Sequence, residues 1–340
     1  MSARKTALTT VGTGTVAVAI YLLVVVLLGQ GYNLKSLTLL PVFGLGVIGL
    51  ALIFGMAHQL HLGYALFFAA GAYGYSVLAA PDPGWPPAVA AAVAVTALGM
   101  LAWATGWVLL RLEGFIFAVG TLGLGLIGAN VLFALRSITG GDNGLPAPEL
   151  ALLGYAIDTP LKKYVLAWVA LALGLVLATN LKHSRTGRAA TAIGLDEPMA
   201  AAQGIHVNRI KSAVFTISAV YAGVAGVLYA AVSGFIFPGL ASLELTLEFV
   251  VAVIVGGMGN IIGPVVVMAG IEWLPHLVEP VEEHVGLVLG VLLTVVVTVL
   301  PPPGNGQSLM GQLRSIGIDT RSRHKKVGLE VASTHHRRPS

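Results

Sequence analysis

The sequence contains no cysteine, so neither disulfides nor thiolate metal sites are available to it. Charge is nearly as scarce: only a tenth of the 340 residues are Asp, Glu, Lys or Arg, too few to cover a soluble domain of this length. No G-x-x-x-x-G-K-[ST] occurs, so the chain has no loop of its own to cradle ATP phosphates. Neither G-x-S-x-G nor H-E-x-x-H is present, and no catalytic constellation emerges. His58 and His61 stand three apart without a third His or a nearby carboxylate, a poor metal set, and pore lining or packing suits them better. Between Ser212 and Leu313 there is no Lys or Arg at all.

What remains is apolar. Hydrophobic residues make up 56% of the chain and mean hydropathy is +0.87, the composition of a polytopic membrane protein. Its 43 glycines suit helices that pack through small side chains. A hydrocarbon core ~30 Å thick needs about 20 apolar residues per crossing. Candidate spans are Thr15–Gln30, Leu37–Met56, Leu62–Ala80, Pro86–Leu110, Phe115–Leu135, Leu161–Asn180, Ser212–Val232, Leu245–Val255, Ile261–Leu274 and Val285–Leu300. The expected fold class is therefore all-α, a transmembrane bundle of about ten segments. Helices are broken or short near Gly256, Gly257, Gly259 and Asn260, where one kinked helix or two separate ones fit equally.

The basic residues set the orientation. Residues 180–211 hold Lys182, Arg185, Arg188, Arg209 and Lys211, and seven more follow from Arg314 onward. Six glutamates, among them Glu244, Glu248 and Glu272, fall in the stretch without Lys or Arg. The positive-inside rule then puts both termini and the 181–211 loop in the cytoplasm of a cell-membrane protein, with Lys162 and Lys163 as exceptions beside Asp158. Residues 1–14 read as a cytoplasmic N-terminus, 15–305 as the membrane domain and 306–340 as a disordered basic tail. The basic residues leave no nucleic-acid footprint, and the lipid bilayer is the expected environment.

Intramembrane polar residues are functional candidates by default. Gln59, His61 and Tyr64 cluster at the start of the third span, and Thr121 and Asn130 lie in the fifth. Ala219 to Gly226 repeats small residues four apart, a packing face. Glu282, Glu283 and His284 read as a solvated outer loop.

Five segments in order resemble the branched-chain amino-acid ABC transporter permease family. They are GLALIFGMAHQLHLGYALFFAAGAY from Gly49 to Tyr73, LRLEGFIFAVGTLGLG from Leu110 to Gly125, ITGGDNGL from Ile138 to Leu145, SRTGRAATAIGLDEPMAAAQGIHV from Ser184, and SGFIFPGLASLELTLEFVVAVIVGGMGNIIGP from Ser233 to Pro264. The extra N-terminal helix and the RLEG block are similar to the longer of that system's two permease subunits. The resemblance implies a transport subunit, not an enzyme, for branched-chain or other small amino acids and related solutes. It implies a sister permease, cytoplasmic ABC ATPases that bind the ATP and Mg, and an extracytoplasmic solute-binding protein delivering to the loops at 140–160 and 234–244. No cofactor is expected on this chain.

The resemblance further implies that a coupling helix near Asp196–Gln203 docks on the ATPase, with Arg188, Asp196, Glu197, Ala200, Ala201 and Gly204 as coupling residues. Asp196 suits the cap, Glu197 the positive helix end, Pro198 the first turn and Gly204 the stop. Gln59, His61, Tyr64, Phe68 and Thr121 are the expected substrate path. The pattern departs from the family at His58, His61 and Tyr64, where Gly, Ser and His are commoner, at Leu126 and Ala201, where an acid is usual, and at Pro301 to Gly304. An ion-coupled secondary transporter or channel is the alternative, with the glycine break as its ion site. A membrane scaffold would leave the Gln59–Tyr64 cluster without a role.

Overall fold

The structure is a computed structural model that describes residues 34–112, 114–152 and 155–277. The expected spans Thr15–Gln30 and Val285–Leu300, the Glu282–His284 loop and the basic tail lie outside the described residues. Within them the chain is helical, with eleven α-helices and two minimal strand pairs.

Helix α1 runs Leu34–Ala57, α2 Tyr64–Ala79, α3 Pro87–Leu109 and α4 Gly114–Ala134, and a single turn, α5, spans Arg136–Thr139. Helix α6 is Pro160–His183, α7 Arg185–Leu195, α8 Glu197–Ala202, α9 Val207–Ser233, α10 Leu243–Gly256 and α11 Ile262–Leu277. Five of these, α1, α3, α4, α6 and α9, are long and apolar enough to cross a membrane. The expected eight spans between 37 and 274 each fall on a helix, with ends moved by a few residues.

Helix α1 is the hub. It is buried along most of its length and packs on α6, α9 and α11, while α9 also holds α2 and α3. The glycines decide how close these helices come. A Cβ at Gly71 of α2 would meet the backbone of Gly223 in α9, and one at Gly226 would meet the Phe68 carbonyl. The small-residue run from Ala219 to Gly226 is thus the packing face expected of it.

The two ends of the bundle differ. At one, the strand end, β1 (Leu145–Pro146) pairs antiparallel with β4 (Phe235–Ile236), while β2 (Ala151–Leu152) pairs with β3 (Tyr155–Ala156). Lys35 Nζ donates to the Ser233 carbonyl there, and Tyr75 Oη donates to that of Pro148. Lys162 and Lys163, the two exceptions to the charge asymmetry, are each paired, with Asp158 at 2.7 Å and Glu149 at 3.1 Å. The ammonium of Lys162 holds the Asp158 carboxyl below the usual carboxylate range. At the other, the hairpin end, lie α7, α8 and the α10–α11 turn.

The glycine-rich break resolves into two helices. Helix α10 stops at Gly257 with a φ of 93°, which favours glycine, and Asn260 Oδ1 accepts from Ile262 N at 3.1 Å to start α11. Gly256 and Gly263 touch backbone to backbone, which closes the pair into a tight hairpin.

Candidate functional site

Helix α2 does not begin at the hairpin end. Its first residue, Tyr64, donates from Oη to the Gly46 carbonyl at 2.6 Å, and Gly46 is in the middle of α1. That level lies about 16 Å above the C-terminus of α1. Residues 58–63 climb this distance without helix, so α2 starts inside the bundle.

A helix that starts in an apolar interior exposes orphan N–H groups that water cannot satisfy. Two neighbouring helices and the local His61 supply the acceptors. Leu62 N donates to Thr121 Oγ1 of α4 at 3.0 Å, Gly63 N to His61 Nδ1 at 3.2 Å, and Ala65 N to Thr246 Oγ1 of α10 at 3.1 Å. Thr121 and Thr246 are both fully buried. Replacing either by valine keeps the shape and removes the acceptor, leaving a buried N–H unpaired at a cost of about 1–3 kcal/mol. We expect each variant to show a lower midpoint in detergent thermal-stability assays, while Thr96→Val on the outside of α3 does not.

The expected path residues meet here, packed rather than open. His61 stacks on Phe215 with centroids 4.9 Å apart, and the edges of Tyr64, Phe67 and Phe117 close round it. Phe68 stacks on Phe43 at 5.7 Å. His61, Tyr64, Phe68 and Thr121 have no exposed surface, and Gln59 has 8%. In this conformation they form the core around the start of α2. A small pocket of about 10 Å³ lies beside them, lined by Leu62, Gly63, Gly125, Leu126, Ser242 and Thr246 among others. Sequence reasoning passed over Thr246, Phe215 and Phe117. A threonine inside the apolar run LELTLEFVV was the available signal for the first, and nothing local marked the two aromatics.

The segment expected to be a polar loop folds as a helical hairpin at the end of the bundle. Ser184 caps α7 through Gly187 N, and the helix buries Gly187, Ala190 and Ile193 on one face. Arg188 turns back and donates to the His183 carbonyl at 2.6 Å. Asp196 caps α8 by accepting from Met199 N at 2.8 Å, Pro198 stands in the first turn, and Gly204 leaves with a φ of 81°. The Glu197 carboxylate pairs at 2.5 Å with Lys211 of α9, whose side chain is only 5% exposed. Ala200 is buried against the bundle, whereas Leu195, Met199 and Ala201 face outward.

The hairpin grips the broken segment. His58, with a left-handed φ of 50°, places Nδ1 2.7 Å from the Gly194 carbonyl, and Gly194 lies against the Met56 carbonyl. Lys182 at the end of α6 donates to the Gly259 carbonyl, so the α10–α11 turn, including Gly256, Gly257 and Asn260, is tied to the same end. His58 and His61 point apart, one to the hairpin and one to the core. Among the described residues no three metal-binding side chains gather.

A family model described as branched-chain amino acid transport system / permease component matches residues 32–298. The chain is 29% identical over 309 residues to the high-affinity branched-chain amino acid transport system permease protein LivM of Escherichia coli strain K12, covering 83% of this chain and 68% of LivM. It is 27% identical over 300 residues to LivH of the same strain, covering 81% of this chain and 94% of LivH. The autoinducer 2 import system permease protein LsrC of Enterobacter sp. strain 638 is 32% identical over 167 residues, 48% of this chain and 46% of LsrC. No solved structure matches.

Proposed function

The chain belongs to the family of permease components of branched-chain amino acid transport systems, and from that premise we propose how it works. It is a multi-pass membrane transport subunit without a catalytic domain of its own. In our reading it forms the membrane passage of an ATP-binding-cassette importer for branched-chain or other small amino acids and related solutes. A separate cytoplasmic ATPase binds the ATP and Mg, a sister permease completes the passage, and an extracytoplasmic binding protein delivers solute to the strand end.

The observation that carries this is the α7–α8 hairpin. It is capped, tied to the bundle by Glu197–Lys211 and His58–Gly194, and presents Leu195, Met199 and Ala201 outward. Outward apolar side chains at a polar membrane end suit a groove on another protein better than water. The charge pattern supports a cytoplasmic position. Among the described residues the hairpin end carries Arg111, Lys182, Arg185, Arg188, Arg209 and Lys211 against Asp196 and Glu197, whereas near the strand end Lys35, Arg136, Lys162 and Lys163 are balanced by Asp82, Asp142, Glu149 and Asp158.

Reconstitution tests the assignment. Proteoliposomes holding this chain, its sister permease and the ATPase should hydrolyse ATP faster when loaded binding protein is added outside, and should accumulate solute only with ATP inside. Uptake by this chain alone under an ion gradient, with no ATPase present, would establish the secondary-transporter alternative instead.

A further inference from the structure

Most of the outward surface is suited to lipid. Helices α3 and α6 expose Val93, Met100, Leu101, Val169 and Leu173, with Trp85 near the strand end and Trp107 near the hairpin end, as in an aromatic belt. The threonines Thr96, Thr105 and Thr179 on these helices donate back to their own helix carbonyls, so they turn no unpaired hydroxyl toward hydrocarbon.

The side formed by α4 and α10 is different. Glu244 stands exposed in the first turn of α10. Helix α10 is short, and its far end is level with Gly55 of α1 through the Met258 carbonyl. Twelve residues of helix therefore set Glu244 about 18 Å from the hairpin end, and about 13 Å short of the level of Leu34. The bond from Ala65 N to Thr246, two residues on, gives the same depth independently. A carboxylate at that depth costs at least ~2.5 kcal/mol if it faces hydrocarbon. Glu248 follows one turn later on the same face, partly exposed, and α4 exposes Asn130 alongside Leu126 and Ile127. A pocket of about 10 Å³, room for a single water, lies between these two helices at Gly63, Gly125, Ser242 and Thr246, beside Glu244 in sequence.

We propose that the α4–α10 face is one wall of a hydrated path that a second permease subunit completes, with Glu244 positioned to receive the ammonium group of a passing zwitterion. The inference rests on the permease function above. The occupant opposite must be as tall as the membrane, because α4 exposes apolar side chains from Phe115 to Phe133. It must also leave water at Glu244, which lipid does not. A second membrane-spanning permease meets both conditions. Glu244 also favours the α10 dipole, but that role needs no water in the membrane.

The absence of native cysteine makes the test direct. Single variants Glu244→Cys and Leu247→Cys are prepared in the full transporter complex, with Val93→Cys and Leu173→Cys as lipid-facing controls. Each is labelled with a charged, membrane-impermeant thiosulfonate. Thiolates are the reactive species, so positions in water should react at least about tenfold faster than the controls. Ile127→Cys should cross-link to the second permease with a short bis-maleimide. Rates at 244 and 247 equal to those at 93 and 173 would overturn the hydrated face. Failure of position 127 to reach the second permease, or its cross-linking to residues 285–300 of the same chain, would overturn the pairing. ATP hydrolysis measured on the same complexes separates these failures from failure of the importer assignment.

Discussion

A Glu197→Lys variant should reach the membrane at the normal level and lose most of its transport. The carboxylate it removes is the partner of Lys211, which is 95% buried. Two ammonium groups would then face each other where an ion pair stood. Glu197 itself is a third exposed, so the cost lies between the surface and buried ranges, about 1–3 kcal/mol. That is small beside the packing of α1, α2 and α9, but large for α8, a six-residue helix whose side-chain polar ties are one cap and one pair, beside the buried Ala200. Each 1.4 kcal/mol lowers the docked population about tenfold. Binding-protein-stimulated ATP hydrolysis and solute uptake should fall together by that order, with detergent stability nearly unchanged. The charge-swapped double variant Glu197→Lys with Lys211→Glu restores the pair and should recover part of the loss. Normal uptake by the single variant at normal expression would remove α8 from the coupling role.

Gly71→Val is expected to be the most damaging change to the fold. The obstruction is the backbone of Gly223, so no side-chain rotation relieves it, and α2 and α9 must separate. Core overpacking typically costs about 1–3 kcal/mol, and a backbone collision exceeds that range. The variant should fail to give monodisperse protein in detergent. Gly270→Ala, where an added methyl meets nothing within 4 Å, should behave as the wild type. Equal thermal stability of both variants would show that α2 and α9 can separate at this contact without loss of the fold.

The same contrasts explain what the amino-acid sequence revealed. Apolar run length located the helices, because hydrocarbon thickness imposes a length that side-chain chemistry can be read against. The α8 helix was legible because its signals are local: Asp196, Pro198 and Gly204 act within a few residues of themselves. Helix α7 was not, since its apolar face is made of Gly187, Ala190 and Ile193, two of them too small to mark a periodicity. The depth at which α2 begins was also hidden. The polar residues His58, Gln59 and His61 mark where the span starts but not how deep, because the acceptors that permit a start inside the bundle, Thr121 and Thr246, come from helices far along the chain. The charge of Glu244 was plain, but its depth follows only from the shortness of α10 and the tie to Ala65.

The β1–β4 ladder links the strand end of the bundle to its middle. It joins the loop after α5 to the strand that leads through Ser242 into α10, and it does so over two residues on each side. At about 1 kcal/mol per net hydrogen bond, so short a ladder adds little to the hold that packing already gives this segment. The leader to α10 is itself buried at Ile236, Leu240 and Ala241, so it forms one packed piece with Thr246, whose hydroxyl holds the start of α2. The strand end and the interior start of α2 are thus neighbours along a short packed segment, and no long helix lies between them.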